Sequence, residues 1–169
     1  MPKNLKLAVV LTVFCVISAG ALAYVYNLTK PIIEKNSAAS FNRSLREVIP
    51  ADSFAPADQG CYVGRKGKEV VGYAFPVAPQ GYGGPIEMLV SIDKEGKVMA
   101  VKILSNKETP GLGTNIVNPK FLKQFSGKSS ADKIIAKDDI DAITGATISS
   151  NAVCKGVRQA IGLLGKVKQ

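Results

Sequence analysis

Three observations predict an α+β chain in which a single N-terminal transmembrane helix precedes one domain with a mainly antiparallel sheet and flanking helices. The first is a run from Leu7 to Thr29 without a charged residue. The second is two pairs of apolar-rich segments, each joined by a short turn containing glycine, which read as consecutive hairpins. The third is a C-terminal stretch in which Val153, Val157, Ala160, Ile161 and Leu164 recur at three- and four-residue spacing, the period of a helix with one buried face. At 169 residues the chain has room for one ordinary domain and a short appendage.

Composition narrows the chemistry before any motif is considered. The chain contains no His and no Trp. Without His, neither a Ser-His-Asp triad nor a Cys-His pair can be built, and the commonest metal ligand is missing. No catalytic residue and no metal site are therefore expected. The net charge is +9, but the cations are scattered and no nucleic-acid motif accompanies them, so no nucleic-acid partner is expected. Beyond Lys30 the balance is 19 Lys/Arg against 13 Asp/Glu, which suits a solvated basic surface near anionic lipid or an acidic partner. Cys15 lies inside the apolar run. Cys61 and Cys154 could pair in an oxidising compartment, but two free buried thiols fit better.

Taken in order, Lys3 and Lys6 make a short basic N-terminus. Leu7 to Thr29 as a helix spans roughly 33 Å, enough to cross a bilayer core. Tyr24 and Tyr26 suit the far interface and the lysines the cytoplasmic side. Ala21, Leu22 and Ala23 resemble a signal-peptide processing site, but the uncharged run continues past them, so a retained single-pass anchor over residues 1–30 is expected rather than a cleaved leader. Either way the domain lies outside the cytoplasm. Residues 31–50 predict a connecting helix beginning at Pro31, with Ile32, Ile33, Phe41, Leu45 and Val48 inward. The domain then fills 51–169. Ile49 to Gln59 reads as loop. Strands are predicted at Cys61–Arg65, Glu69–Val77, Pro85–Asp93 and Lys97–Leu104, with turns at 66–68 and 94–96, in a sheet with one covered face. A short helix is predicted from Asn118 to Phe125, stopped at Gly127, then a last strand from Ile134 to Ile140 and a helix running to about Lys166.

Three segments stand out as chemistry. Pro79 to Pro85 contains Gly81, Tyr82, Gly83 and Gly84, which alone reads as a flexible turn. In the segment Glu108, Thr109, Pro110, Gly111, Leu112, Gly113, Thr114, the two spaced glycines would let backbone approach a flat ring, and Leu112 would offer an apolar contact. Finally, Asp141 precedes Thr144, Gly145, Ala146 and Thr147, and the helical pattern follows at once. By its residues alone this stretch reads first as a strand-to-helix turn capped by Ser149, Ser150 and Asn151. Its second reading is an anion seat, with Thr147 just ahead of a helix N-terminus that favours phosphate.

Together, and in this order, the three segments resemble the FMN-binding domain family. The likeness extends from about Gly81 to Asn151 and is greatest to the G subunits of Rnf ion-translocating electron-transport complexes. C subunits of sodium-translocating NADH:quinone oxidoreductases share the motifs but are generally longer. The resemblance implies covalent FMN, held by a phosphoester to Thr147. It implies a cofactor site made of Asp141, Thr144, Gly145, Ala146, Thr147, Glu108, Thr109, Gly111, Leu112 and Gly113, with Tyr82 near the flavin or its entrance. It further implies an extracytoplasmic electron carrier without independent catalytic activity, matured by a Mg-dependent flavin transferase. The implied partners are the other subunits of a membrane ferredoxin:NAD oxidoreductase complex coupled to Na⁺ or H⁺ transport. A different FMN-carrying respiratory protein is the nearest alternative, and a non-redox anchored binding module a more distant one.

Overall fold

The computed structural model describes residues 2–167, without the side chain of Lys3; Met1, Lys168 and Gln169, the last two inside the predicted 51–169 domain, lie outside the described residues. The chain divides into two units, one ending at Ser40 and one beginning at Phe41.

The first unit is a helix. Helix α1 runs over Lys3–Val48, and its apolar residues are exposed along the whole uncharged run, Leu7 at 62% and Leu22 at 72%. It is long and apolar enough to cross a membrane. Its threonines suit such surroundings, because Thr12 Oγ1 donates to Ala8 O and Thr29 Oγ1 to Val25 O, both at 2.9 Å. The helix does not restart at Pro31 as expected but passes through it. Proline removes one helical donor and crowds the preceding turn, and long helical segments on both sides carry the axis through that local loss. Ile32 and Ile33, predicted inward, are exposed at 60% and 56%.

The second unit begins with the end of α1. Phe41 packs on Tyr62 with ring centroids 5.1 Å apart, and Leu45, Val48 and Ile49 are buried against Ala74 and Leu89. The sheet has five strands in sequence order, β1 (Ser53–Pro56), β2 (Tyr62–Lys66), β3 (Glu69–Val77), β4 (Glu87–Asp93) and β5 (Val98–Ser105), each antiparallel to its neighbours. The hairpin turns fall where expected, with Gly67 and Gly96 at φ +60° and +94°. Strand β1 occupies part of the predicted 49–59 loop. It is a four-residue edge strand, held by its register with β2 rather than by burial.

Both faces of the central strands are covered, where one covered face was expected. Phe75, Val77, Met88, Val90 and Ile92 enter the larger core with Val153, Val157 and Ala160 of the C-terminal helix. Ala74 and Leu89 face the smaller core with the end of α1. Neighbouring residues of one strand point to opposite faces, so β4 is buried from Met88 to Ile92 without alternation. Ser91 fits there because its hydroxyl donates to Val48 O at 2.8 Å and accepts from Ala100 N at 2.9 Å, beside a register shift in the β4–β5 pairing.

Helix α2 (Pro119–Leu122) is capped by Asn118, whose side chain accepts from Lys120 N, and continues as a 3₁₀ turn to Phe125. The predicted strand at 134–140 is not formed. Ile134 and Lys137 have φ of +51° and +72°, and one bridge, Ala136 to Ile140, is all the pairing present. Helix α3 (Thr147–Val167) then closes over the sheet. Gly156 permits the close approach: a Cβ there would lie 2.7 Å from Met88 Sδ and 2.9 Å from Pro79 Cγ.

Candidate functional site

Cross-links to side chains hold the irregular segment ahead of α3 in place. The Asp139 carboxylate accepts from Ile134 N at 3.0 Å, Ile135 N at 2.7 Å and Lys128 Nζ at 3.0 Å. The Ile135 N–H first, then Lys128 and the Ile134 N–H, hold that carboxyl at about 2, below its ordinary 3.8. Arg158 of α3 donates to Ile134 O. Next, the Gln124 amide takes both backbone groups of Asp141, accepting from its N–H at 2.8 Å and donating to its carbonyl at 3.3 Å. Ile143 O accepts from Ala146 N at 3.0 Å, closing a turn in which Gly145 has φ +78°, the conformation a type II turn requires at its third position.

Thr147 is the first residue of α3 rather than one just ahead of it, and the two serines do not cap the helix. Ala146 O accepts the first helical bond, from Ser150 N. Ser150, fully buried, braces the turn: its Oγ accepts from Ile143 N at 3.1 Å and donates to Ala146 O at 3.0 Å. Ser149, 2% exposed, donates its hydroxyl to Glu108 Oε2. Thr147 is half-buried, and its hydroxyl has no protein partner among the described residues. The N–H groups of the first helical turn have no intrahelical acceptor and face the same direction.

Glu108 is the residue whose position sequence reasoning did not foresee. It is 5% exposed. Its Oε1 accepts from Tyr82 N at 2.9 Å and Gly83 N at 3.1 Å, while Oε2 takes Ser149. The room expected for a ring at Gly113 belongs to this carboxylate: a Cβ at Gly113 would lie 2.8 Å from Glu108 Cβ and Oε2, and one at Gly81 2.3 Å from Oε1. Gly111 serves its own backbone, with φ +77° and nothing within 4 Å of the place a Cβ would take. Its N–H donates to Thr114 Oγ1 at 3.0 Å.

The segments enclose a groove of about 600 Å³ lined by Tyr82, Glu108, Thr109, Leu112, Gly113, Gly145, Ala146, Thr147, Ile148 and Ser149. Tyr82 (70% exposed), Leu112 (49%) and Ile148 (57%) present apolar surface to it. A second cavity of about 430 Å³, lined by Lys137, Asp138, Asp141, Ala142, Ile143, Thr144, Gly145 and Thr147, adjoins it. Thr147 and Gly145 belong to both. The structure therefore gathers Tyr82, Glu108, Thr109, Leu112, Gly113, Gly145, Ala146 and Thr147 into one groove, sets Asp141 and Thr144 in the next, and leaves Gly111 out of both. Ile148 is an added lining residue, signalled only by being an exposed apolar residue beside Thr147. Such a groove suits a flat apolar group at one end and an anion at the helix N-terminus. The buried thiols lie away from it: both are unpaired, and burial pushes Cys154 up to about 11.

Residues 81–162 match the FMN-binding domain family, and residues 3–48 match the RnfG N-terminal region. The G subunit of the proton-translocating ferredoxin:NAD(+) oxidoreductase complex of Clostridium ljungdahlii is 38% identical over 159 residues, which cover 89% of this chain and 86% of the relative. The chain belongs to the family of G subunits of ion-translocating oxidoreductase complexes. A second member, the G subunit of the Na(+)-translocating ferredoxin:NAD(+) oxidoreductase complex of Acetobacterium woodii, is 31% identical over 92% of this chain and 89% of its own. Two solved structures share the fold. The NqrC crystal structure of Shewanella oneidensis superposes with a TM-score of 0.54 at 16% identity, covering 73% of each chain. The C subunit of the Na(+)-translocating NADH-quinone reductase of Parabacteroides distasonis gives 0.52 at 22% identity, covering 64% of this chain and 62% of that one. This member of the family thus carries an FMN-binding domain, and its groove fits that cofactor in size, in apolar lining and in having a helix N-terminus for the phosphate.

Proposed function

We propose that the chain is a membrane-anchored electron-transfer subunit of a ferredoxin:NAD oxidoreductase complex coupled to Na⁺ or H⁺ translocation, and that it carries FMN through a phosphoester to Thr147. The observation that carries the covalent reading is the state of the hydroxyls. Ser149 Oγ is engaged by Glu108 and Ser150 Oγ by the turn, whereas Thr147 Oγ, on the wall shared by two cavities, has no partner among the described residues.

FMN, when bound, supplies one- and two-electron redox chemistry. The chain's own residues seat and orient it. Tyr82, Leu112 and Ile148 would shield the ring from water, and Thr109 lines the same groove. The free N–H groups at the start of α3 complement a phosphate charge. Formation of the link balances as a transfer: Thr147 Oγ loses its proton and bonds to the flavin-side phosphorus of FAD, and AMP leaves. With no His to activate the hydroxyl, that step belongs to a separate Mg-dependent flavin transferase, to which the cavity of Asp141 and Thr144 is offered. Residues 1–30 anchor the chain in the cell membrane, with Lys3 and Lys6 cytoplasmic and the 51–169 domain on the extracytoplasmic side, beside the other subunits and the lipid surface.

The test is flavin fluorescence in a denaturing gel, using full-length protein co-expressed with a flavin transferase and compared with Thr147→Ala. The expected result is a fluorescent band lost in the variant. A dark wild-type band, with the transferase active on a control substrate, would contradict the covalent reading and leave a protein that holds FMN without a bond.

A further inference from the structure

Resting on the flavin reading above, we propose that Glu108 is a positioning residue rather than a flavin ligand. Its buried carboxylate ties the 81–83 loop to the first turn of α3, sets both walls of the groove, and removes Ser149 from competition for the flavin.

Four observations converge on this role. Both carboxylate oxygens are occupied by protein donors: Tyr82 N and Gly83 N on one side, the Ser149 hydroxyl on the other. Those partners lie 25, 26 and 41 residues away in sequence, so one side chain joins three segments. Gly81 and Gly113 are the residues a Cβ would drive into Glu108, which means that the glycines of both loops make room for the carboxylate. The joined segments each supply groove lining: Tyr82 from the first loop, Thr109 and Leu112 from the second, Thr147 and Ile148 from α3. A carboxylate that accepts several hydrogen bonds within a buried site is a strong local constraint, and its loss leaves buried donors unpaired. Glu108 therefore sets the spacing between the apolar walls. It also engages the Ser149 hydroxyl, two residues from Thr147.

The roles of charge and of geometry separate with Glu108→Gln. A glutamine can accept from the two N–H groups with its carbonyl oxygen and donate to Ser149 with its amide, preserving the strap without the charge. Glu108→Ala removes it. The experiment uses the full chain in detergent, loaded by a flavin transferase, with three measurements: amide hydrogen exchange at Tyr82 and Gly83, covalent flavin per chain, and fluorescence anisotropy of the attached flavin. The expected outcome is that E108A loses protection at both amides and loads severalfold less flavin. E108Q should keep the protection and recover most of the loading. Ser149→Ala, which cuts only the α3 arm, should load at Thr147 with lower anisotropy than wild type. An E108A protein with wild-type loading and anisotropy would overturn the positioning role. If E108A does not fold, an S149A protein with unchanged anisotropy would overturn it equally. A wild-type chain that takes up no flavin would overturn the flavin reading as well, a result that no comparison among loaded variants can mimic.

Discussion

In the 107–115 loop Gly111, Gly113 and Thr114 are tied into the protein, while Thr109 lines the groove. Thr114 Oγ1 accepts from Gly111 N, Asn115 donates to Gly111 O at 2.9 Å, and Gly113 lies against Glu108. The 141–150 segment uses the same residue types, and there the bracing is done by Gln124 and Ser150, leaving the Thr144 and Thr147 hydroxyls without a partner among the described residues. Both regions read as Gly/Thr turns in sequence. The difference shows that a reactive hydroxyl is marked less by its neighbours in sequence than by the fold having engaged the two serine hydroxyls that follow it in the same helical turn.

The strongest way to break this comparison is to exchange the roles of the hydroxyls. Thr144→Ala and Ser150→Ala should each leave flavin on Thr147, whereas Thr147→Ala should abolish it without transfer to Ser149 or Ser150; in-gel fluorescence reads all three. Ser150→Ala also strands the Ile143 N–H inside the turn, so it should cost about 1–3 kcal/mol in denaturant unfolding. The outcome that breaks the comparison is flavin migrating to a serine.

The two glycines of the 107–115 loop sharpen it further. Gly113→Ala forces a methyl onto a buried carboxylate and should destabilise by about 1–3 kcal/mol, with flavin loading reduced. Gly111→Ala meets open space and carries only the strain of its positive φ, about 1 kcal/mol. Equal losses in thermal denaturation would mean that Glu108 moves freely and does not fix the groove.

Much of the fold was legible because local signals agreed with one another. Glycine turns at Gly67 and Gly96 flank apolar strands, and the helical period from Val153 to Leu164 names the α3 face that packs inward. Strand β1 was hidden because four residues with mostly exposed side chains carry no alternation and are ordered by pairing with β2. The opposite error arose at 134–140. Ile134, Ile135 and Ile140 favour a strand, yet Asp139 collects two backbone N–H groups and bends the chain through positive φ. Within the site, the groups of residues were readable and the place of Glu108 was not, since its partners are remote in sequence.

The smallest expected effect concerns that bent segment. Asp139 has its carboxyl lowered to about 2 from an ordinary 3.8, so the stability it contributes is present above the ordinary value and is lost as pH falls from about 4 toward 2. Amide exchange at Ile134 and Ile135, taken relative to its intrinsic rate at each pH, should quicken across that window in wild type. In Asp139→Asn it should be faster already at pH 6 and change less across the window. A wild-type profile parallel to that of the variant would show that Asp139 does not hold the segment leading into Asp141.

The central claim is that the fold leaves one hydroxyl of the 147–150 turn for the flavin. It is tested most directly by mass spectrometry of the tryptic peptide spanning residues 138–155, from protein matured with a flavin transferase. The account predicts one FMN mass, localised by fragmentation to Thr147, with Thr144, Ser149 and Ser150 unmodified. An FMN mass on Ser149 or Ser150, or an unmodified peptide from protein that is yellow after denaturation, would contradict it.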